Sequence, residues 1–188
     1  MDIVSKLPNV GTNIFSVMSG LAVRVGAINL SQGFPNYNPS PRLQRLVMDH
    51  MERGDNQYAP MPGVPLLRER IAGKMEQMYG VKVDPETEIT ITAGATQAIF
   101  CVIAAFVRPG DEVILLEPCY DSYRPSVETV GGTPVIHSLY APDYRVDWKA
   151  VQQLITPRTR MLCINTPQNP TGTILTEADM LSIQDILR

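Results

Sequence analysis

The residues from Ile89 to Val107, I-T-I-T-A-G-A-T-Q-A-I-F-C-V-I-A-A-F-V, carry the first chemical signal in the chain. Four β-branched residues, Ile89 to Thr92, read as a short strand. Ala93-Gly94-Ala95 is small, and from Thr96 the apolar run suits a helix that Arg108-Pro109-Gly110 stops. A strand that ends in small residues and feeds a helix N-terminus is an anion site. The first-turn amides of Gly94, Ala95 and Thr96 point one way, the helix dipole favours negative charge, and the Thr96 hydroxyl adds a donor. The same stretch also reads as a tight turn capped by Thr96, and on these residues alone both readings stand. It is neither a dinucleotide fingerprint nor a P-loop, because G-x-G-x-x-G and G-K-[ST] are both missing.

Two further segments hold chemistry-bearing side chains. Glu117-Pro118-Cys119-Tyr120-Asp121-Ser122-Tyr123 follows a predicted strand and offers a flat aromatic, Tyr120, beside a thiol and a carboxylate. Thr166-Pro167-Gln168-Asn169-Pro170-Thr171-Gly172 follows another and offers the side-chain amide of Asn169. An anion cradle, an aromatic face and an amide suit an anionic, planar, heteroaromatic ligand.

The elements that would position these groups alternate along the chain. A helix is expected after Thr12 or Asn13, a short one from Pro41 to Met51 capped by Ser40, and one from Val64 to Tyr79 ended by Gly80. In the last, Leu66, Leu67, Ile71, Met75 and Met78 form the apolar side, and Arg68, Glu69, Arg70 and Lys74 the solvated one. Strands are expected at 113–116, 133–139 and 160–165. Asp147 caps a helix from Trp148, and Thr176 with Asp179 forms a capping box. The helix at 96–107 is apolar nearly all round and should be buried. This alternation implies an α/β sheet covered on both faces, with ligands outside the carboxyl ends of its strands.

Composition excludes several classes. The 188 residues are 44% hydrophobic with a net charge of −3, which suits a soluble domain with a core and leaves no basic footprint for nucleic acid. No apolar run reaches membrane length, and the N-terminus has no signal-peptide pattern. Cys101, Cys119 and Cys163 show no C-x-x-C spacing and read as reduced thiols of a cytoplasmic protein. His50 and His137 join no ligand cluster, so no metal site is expected.

The ordered motifs S-Q-G-F-P-N-Y at 31–37, Q-Y-A-P-M-P-G-V-P-L-L-R at 57–68, T-A-G-A-T-Q-A at 92–98, E-P-C-Y-D-S-Y at 117–123 and N-T-P-Q-N-P-T-G at 165–172 resemble the fold-type I, class I/II pyridoxal-phosphate aminotransferases. The methionine and kynurenine aminotransferase-like branch is the most similar. The resemblance implies an aspartate aminotransferase-like large domain, a three-layer α/β/α sheet incomplete at its C-terminus. Residues 1–40 would be the N-terminal arm and part of the small domain, and 41–188 the first part of the cofactor-binding domain. It also implies site roles. Gly94, Ala95 and Thr96 would hold the phosphate of pyridoxal 5'-phosphate, Tyr120 would stack on its ring, and Asn169 would bond its phenolic oxygen. Gly33 and Phe34 would face the substrate near its carboxylate. Tyr58 would reach the phosphate of the neighbouring subunit's cofactor in a homodimer. The substrates would be an amino acid and a 2-oxo acid.

The family's Schiff-base lysine, the carboxylate that pairs with the pyridinium nitrogen and the arginine that grips the substrate carboxylate all fall beyond the Asn-Pro-Thr-Gly turn. This sequence has only Lys6, Lys74, Lys82 and Lys149, read as surface residues, so no catalytic residue is assigned within it. The expectation is a fragment, inactive and poorly stable alone, whose strand at 89–92 lacks its sheet neighbours and whose apolar helix lacks part of its cover. Three alternatives remain: a non-catalytic remnant that binds a phosphate ligand or a subunit, a C–S lyase, or an aminocyclopropane-carboxylate synthase on the same scaffold.

Overall fold

The computed structural model describes residues 4–8, 10–33 and 35–188. Phe34, one of the expected substrate contacts, lies outside the described residues. The chain forms two compact units: Ile14–Ala93, and Gly94–Arg188 together with the arm up to Asn13.

The first unit is helical, with α1 at Ile14–Val25, α2 at Pro41–Glu52 and α3 at Pro65–Tyr79. Proline opens α2 and α3, where its missing N–H costs no helical bond. Ser40 takes the N-cap position of α2 without a side-chain cap bond, and Gly80 closes α3 in the left-handed conformation. The expected faces of α3 are not the observed ones. Arg68, read as solvated, is 3% exposed, whereas Leu66, Leu67 and Met78 are exposed. The reason is chemical. The guanidinium donates to the carbonyls of Gly63 and Pro85 and pairs with Glu86 at 3.1 Å, so its apolar stem is buried while each nitrogen of its head has a partner. Gly63 must be glycine: its φ is +106°, and a Cβ there would lie 2.3 Å from Ile91 Cγ1. The Ile91 N–H donates to the Pro62 carbonyl at 2.9 Å, fixing the 57–63 loop against residue 91.

Residues 89–92, expected as a strand, form none. β-branched residues favour extended backbone, but a strand also needs a neighbour, and the sheet of the described residues does not include this segment.

Among the described residues the second unit is built on three parallel strands in the order β2-β1-β3, with β1 at Glu112–Glu117, β2 at Thr133–Ser138 and β3 at Thr159–Cys163. Helices α4 (Ala95–Phe106), α5 (Tyr123–Thr129), α6 (Trp148–Gln153) and α7 (Glu177–Ile186) complete it. The central strand is buried on both faces. Val113 and Leu115 pack with Ile103, Val107, Tyr123 and Val127, while Ile114 and Leu116 pack with Leu139 and Val151. Side chains alternate along a strand, so this split separates the two helical layers of an α/β/α sandwich. The local signals hold here. The Asp147 carboxylate accepts from the amides of Lys149 and Ala150, and Thr176 and Asp179 form the capping box of α7. Helix α4 does not have the burial its apolar sequence implies and agrees instead with the expectation that it lacks part of its cover: only Ile103 within it is buried, and Phe106 is 61% exposed. Among the described residues no helix is long and apolar enough to cross a membrane.

Candidate functional site

Because the strands are parallel, β1 and β3 deliver the 117–123 and 165–172 loops to the same end of the sheet. The N-terminus of α4 meets them there. Gly94, not Thr96, is the N-cap residue, and at φ +89° it takes a conformation that a side-chain-bearing residue adopts only under strain. Nothing lies within 4 Å of where its Cβ would be, so the space over the turn is open. Ala95 and Thr96 follow as the first helical residues, and both are exposed. Their amides have no acceptor within the helix, and the helix dipole adds positive potential at the same point.

Thr96 does not cap the helix. Its Oγ1 lies 2.9 Å from the phenolic oxygen of Tyr120, and this hydrogen bond joins the first turn of α4 to the loop leaving β1. The Tyr120 ring meets Tyr123 edge-on, with centroids 5.8 Å apart and planes at 84°. Tyr123 is itself anchored in the core, so the pair fixes the plane of Tyr120. The hydroxyl's acidity is raised: hydrogen bonds from Ser122 first and Thr96 second hold its pKa below the ordinary tyrosine value.

Asn169 is exposed and borders a small hollow that also involves Cys119, Tyr123, Cys163, Asn165 and Gln168. Burial, followed by the charge of Glu117, pushes the Cys119 thiol up to about 11, and burial pushes Cys163 up to about 11. Both are therefore protonated at neutral pH, the form in which a thiol is a poor nucleophile.

Thr96 and Tyr120 are thus in direct contact, and Asn169 stands on the adjacent loop of the same sheet end. Gly33 and Tyr58 belong to the other compact unit; Gly33 has open space beside its Cα and Tyr58 is fully exposed. All four lysines are exposed; Lys6 donates to the Thr129 carbonyl and Lys82 pairs with Glu76. Two residues that sequence reasoning missed are Arg68 and Gln168. Both are buried polar side chains whose partners include main-chain carbonyls distant in sequence, which no periodicity reveals. Chemically, the open turn at Gly94, the Thr96 hydroxyl, the fixed Tyr120 ring and the Asn169 amide fit a phosphate-bearing, planar ring.

Comparison with known proteins gives the family. Residues 25–188 match the family described as aminotransferase class I and II. Methionine aminotransferase of Escherichia coli (strain K12) is 48% identical over 179 residues, covering 95% of this chain and 46% of that protein. A probable N-succinyldiaminopimelate aminotransferase of Mycobacterium tuberculosis (strain ATCC 25618 / H37Rv) is 44% identical over 186 residues, covering 97% and 47%. The crystal structure of an Escherichia coli protein with a methionine aminotransferase function has a TM-score of 0.96 at 46% identity, over 100% of this chain and 49% of that one. The chain therefore spans about half the length of the curated relatives it matches. Matching in sequence over most of its residues and in fold throughout, it belongs to the class I and II aminotransferases.

Proposed function

We propose that these residues form part of a pyridoxal-phosphate-dependent aminotransferase that moves an amino group from a methionine-type or aromatic amino acid to a 2-oxo acid. The observation that carries the reading is the 2.9 Å contact of the Thr96 hydroxyl with the Tyr120 hydroxyl, which puts the Tyr120 ring beside the first turn of α4. When bound, pyridoxal phosphate supplies an electron sink for the amino acid's α-carbon. In this proposal the first-turn amides at Gly94, Ala95 and Thr96, with the Thr96 hydroxyl, bind its phosphate. Tyr120 offers its ring face, held by Tyr123 behind it. Asn169 donates its side-chain amide to the phenolic oxygen and so favours that oxygen's ionised form. Gly33 lies near the substrate carboxylate, and Tyr58 crosses to the phosphate site of a second copy in a homodimer. The assembly is cytoplasmic.

The base that moves a proton at the substrate's α-carbon is not among these assignments. None of the four lysines fits that role, since each is read as a solvated surface residue. We therefore assign no turnover to the 188 residues by themselves. The donor preference rests on the names of the relatives, which include methionine, N-succinyldiaminopimelate and aromatic amino acid aminotransferases.

The test uses the full-length protein carrying these residues, given 15N-methionine or 15N-phenylalanine and a 2-oxo acid, beside the 188-residue chain alone. The expected result is 15N in the new amino acid for the former and none for the latter. Release of a thiol without 15N transfer would replace the reading with a lyase. Transfer by the 188-residue chain alone would remove the claim that it needs more residues.

A further inference from the structure

We propose that Gln168 is a positioning residue, a buried amide that sets Asn169 and Tyr120 relative to each other. Gln168 is 9% exposed, and its side chain is bonded at both ends. Its Nε2 donates to the Leu116 carbonyl at 3.2 Å and to the Pro118 carbonyl at 3.0 Å. Its Oε1 accepts from the Thr171 hydroxyl at 2.6 Å. Its own backbone closes the loop: the Gln168 N–H donates to the Thr173 carbonyl at 2.8 Å, and the Gly172 N–H donates to the Gln168 carbonyl at 2.7 Å.

The sheet explains why a side chain stands here. The pairing of β1 with β3 ends at Leu115 and Cys163. Beyond that rung β3 gives way to its loop while β1 runs on to Glu117 beside β2, so the carbonyls of Leu116 and Pro118 have no strand beside them on the β3 side. The Gln168 amide takes the place of the missing rungs. It is chain neighbour to Asn169 and grips the main chain two residues before Tyr120. One side chain therefore spans the two loops that carry the ring contacts. No leucine or glutamate of similar size can do this. The first has no donor, and the second would set a carboxylate against two carbonyl oxygens.

The inference rests on the proposed cofactor roles of Asn169 and Tyr120, and the test separates the two claims. In the full-length protein, Gln168→Leu removes both donors and Gln168→His keeps one ring N–H, while Asn169→Ala tests the site itself. The first readout needs no cofactor: backbone hydrogen exchange over 168–173 should rise about tenfold in Gln168→Leu and less in Gln168→His. The second is the dissociation constant of pyridoxal phosphate and the pH midpoint of its visible absorption. Gln168→Leu should weaken binding about tenfold and move the midpoint, with Gln168→His between it and the wild type. A purely structural role would lower the unfolding temperature and leave that midpoint in place, which would overturn the proposal. Unchanged exchange would also overturn it. If Gln168→Leu does not fold, Gln168→His with wild-type exchange and midpoint overturns it equally. If Asn169→Ala alters the cofactor and the Gln168 variants do not, only this inference falls. If Asn169→Ala also has no effect, the reading of the site falls with it.

Discussion

Arg68 offers a perturbation whose size can be worked from its contacts. Arg68→Met keeps the length and apolar character of the stem and removes the guanidinium. The carbonyls of Gly63 and Pro85 then lose their donors, and each orphaned buried carbonyl costs about 1–3 kcal/mol. Pro85 is half-buried, so water can reach its carbonyl and the lower part of the range applies, giving about 2–4 kcal/mol in sum. The ion pair contributes little by comparison. The Glu86 side chain is 68% exposed, and a surface pair of that kind is worth about 0–1 kcal/mol. Glu86→Gln should therefore be nearly silent. Arg68→Lys should recover only part of the loss, because one ammonium cannot fork between the two carbonyls and the carboxylate. Urea unfolding followed by far-UV circular dichroism measures all three, with backbone exchange over 57–63 reporting the loop that Arg68 holds. A loss below about 0.5 kcal/mol in Arg68→Met, or an equal loss in Glu86→Gln, would refute the reasoning, since it rests on the carbonyl bonds outweighing the charge pair.

Three other perturbations follow from the same geometry. At pH 8 a thiol reagent should modify the exposed Cys101 first; with pKa values of about 11, Cys119 and Cys163 hold about one thiolate in a thousand, and their labelling should rise as pH approaches 11. Equal rates at all three positions would contradict this. Asp179, bonded first by Thr176 and then by Trp148, has its carboxyl held below the ordinary 3.8, so its stabilisation is complete at neutral pH and is lost as pH falls through the folded value. Asp179→Asn should cost about 1 kcal/mol at pH 7 and flatten the acid limb of the stability curve below about pH 4, which urea midpoints across pH would read. Gly94→Ala meets no atom but takes a side chain to φ +89°, so it should cost about 1–2 kcal/mol by thermal unfolding and loosen the turn proposed to hold phosphate. A neutral effect on both would mean that the turn tolerates another backbone conformation.

Much of the fold was legible because its signals are local. Asp147 and the Thr176–Asp179 pair announce their helices within four residues, and the apolar run from Val113 to Leu116 reads as a strand of a sheet covered on both faces, which it is. The four residues 89–92 mislead for a physical reason: β-branching gives a preference for extended backbone, whereas a strand requires partners. The burial expected of α4 likewise came from composition, while the packing observed depends on what lies against each face. Arg68 and Gln168 were unreadable because their burial is decided by carbonyls from other segments. Of the site, the motif residues could be named from sequence. The contact of Thr96 with Tyr120 could not, since it joins residues 24 apart through side chains whose meeting depends on how α4 and the β1 loop pack.

The central claim is that the N-terminus of α4 binds the phosphate of pyridoxal phosphate, and phosphate-specific binding tests it most directly. In the full-length protein carrying these residues, the affinity for pyridoxal phosphate should far exceed that for pyridoxal, which lacks the phosphate. Thr96→Val, which keeps the side-chain shape and removes the hydroxyl, should narrow that gap about tenfold, mainly by weakening the phosphate form. A gap as wide in Thr96→Val and Gly94→Ala as in the wild type, or no gap at all, would contradict the account.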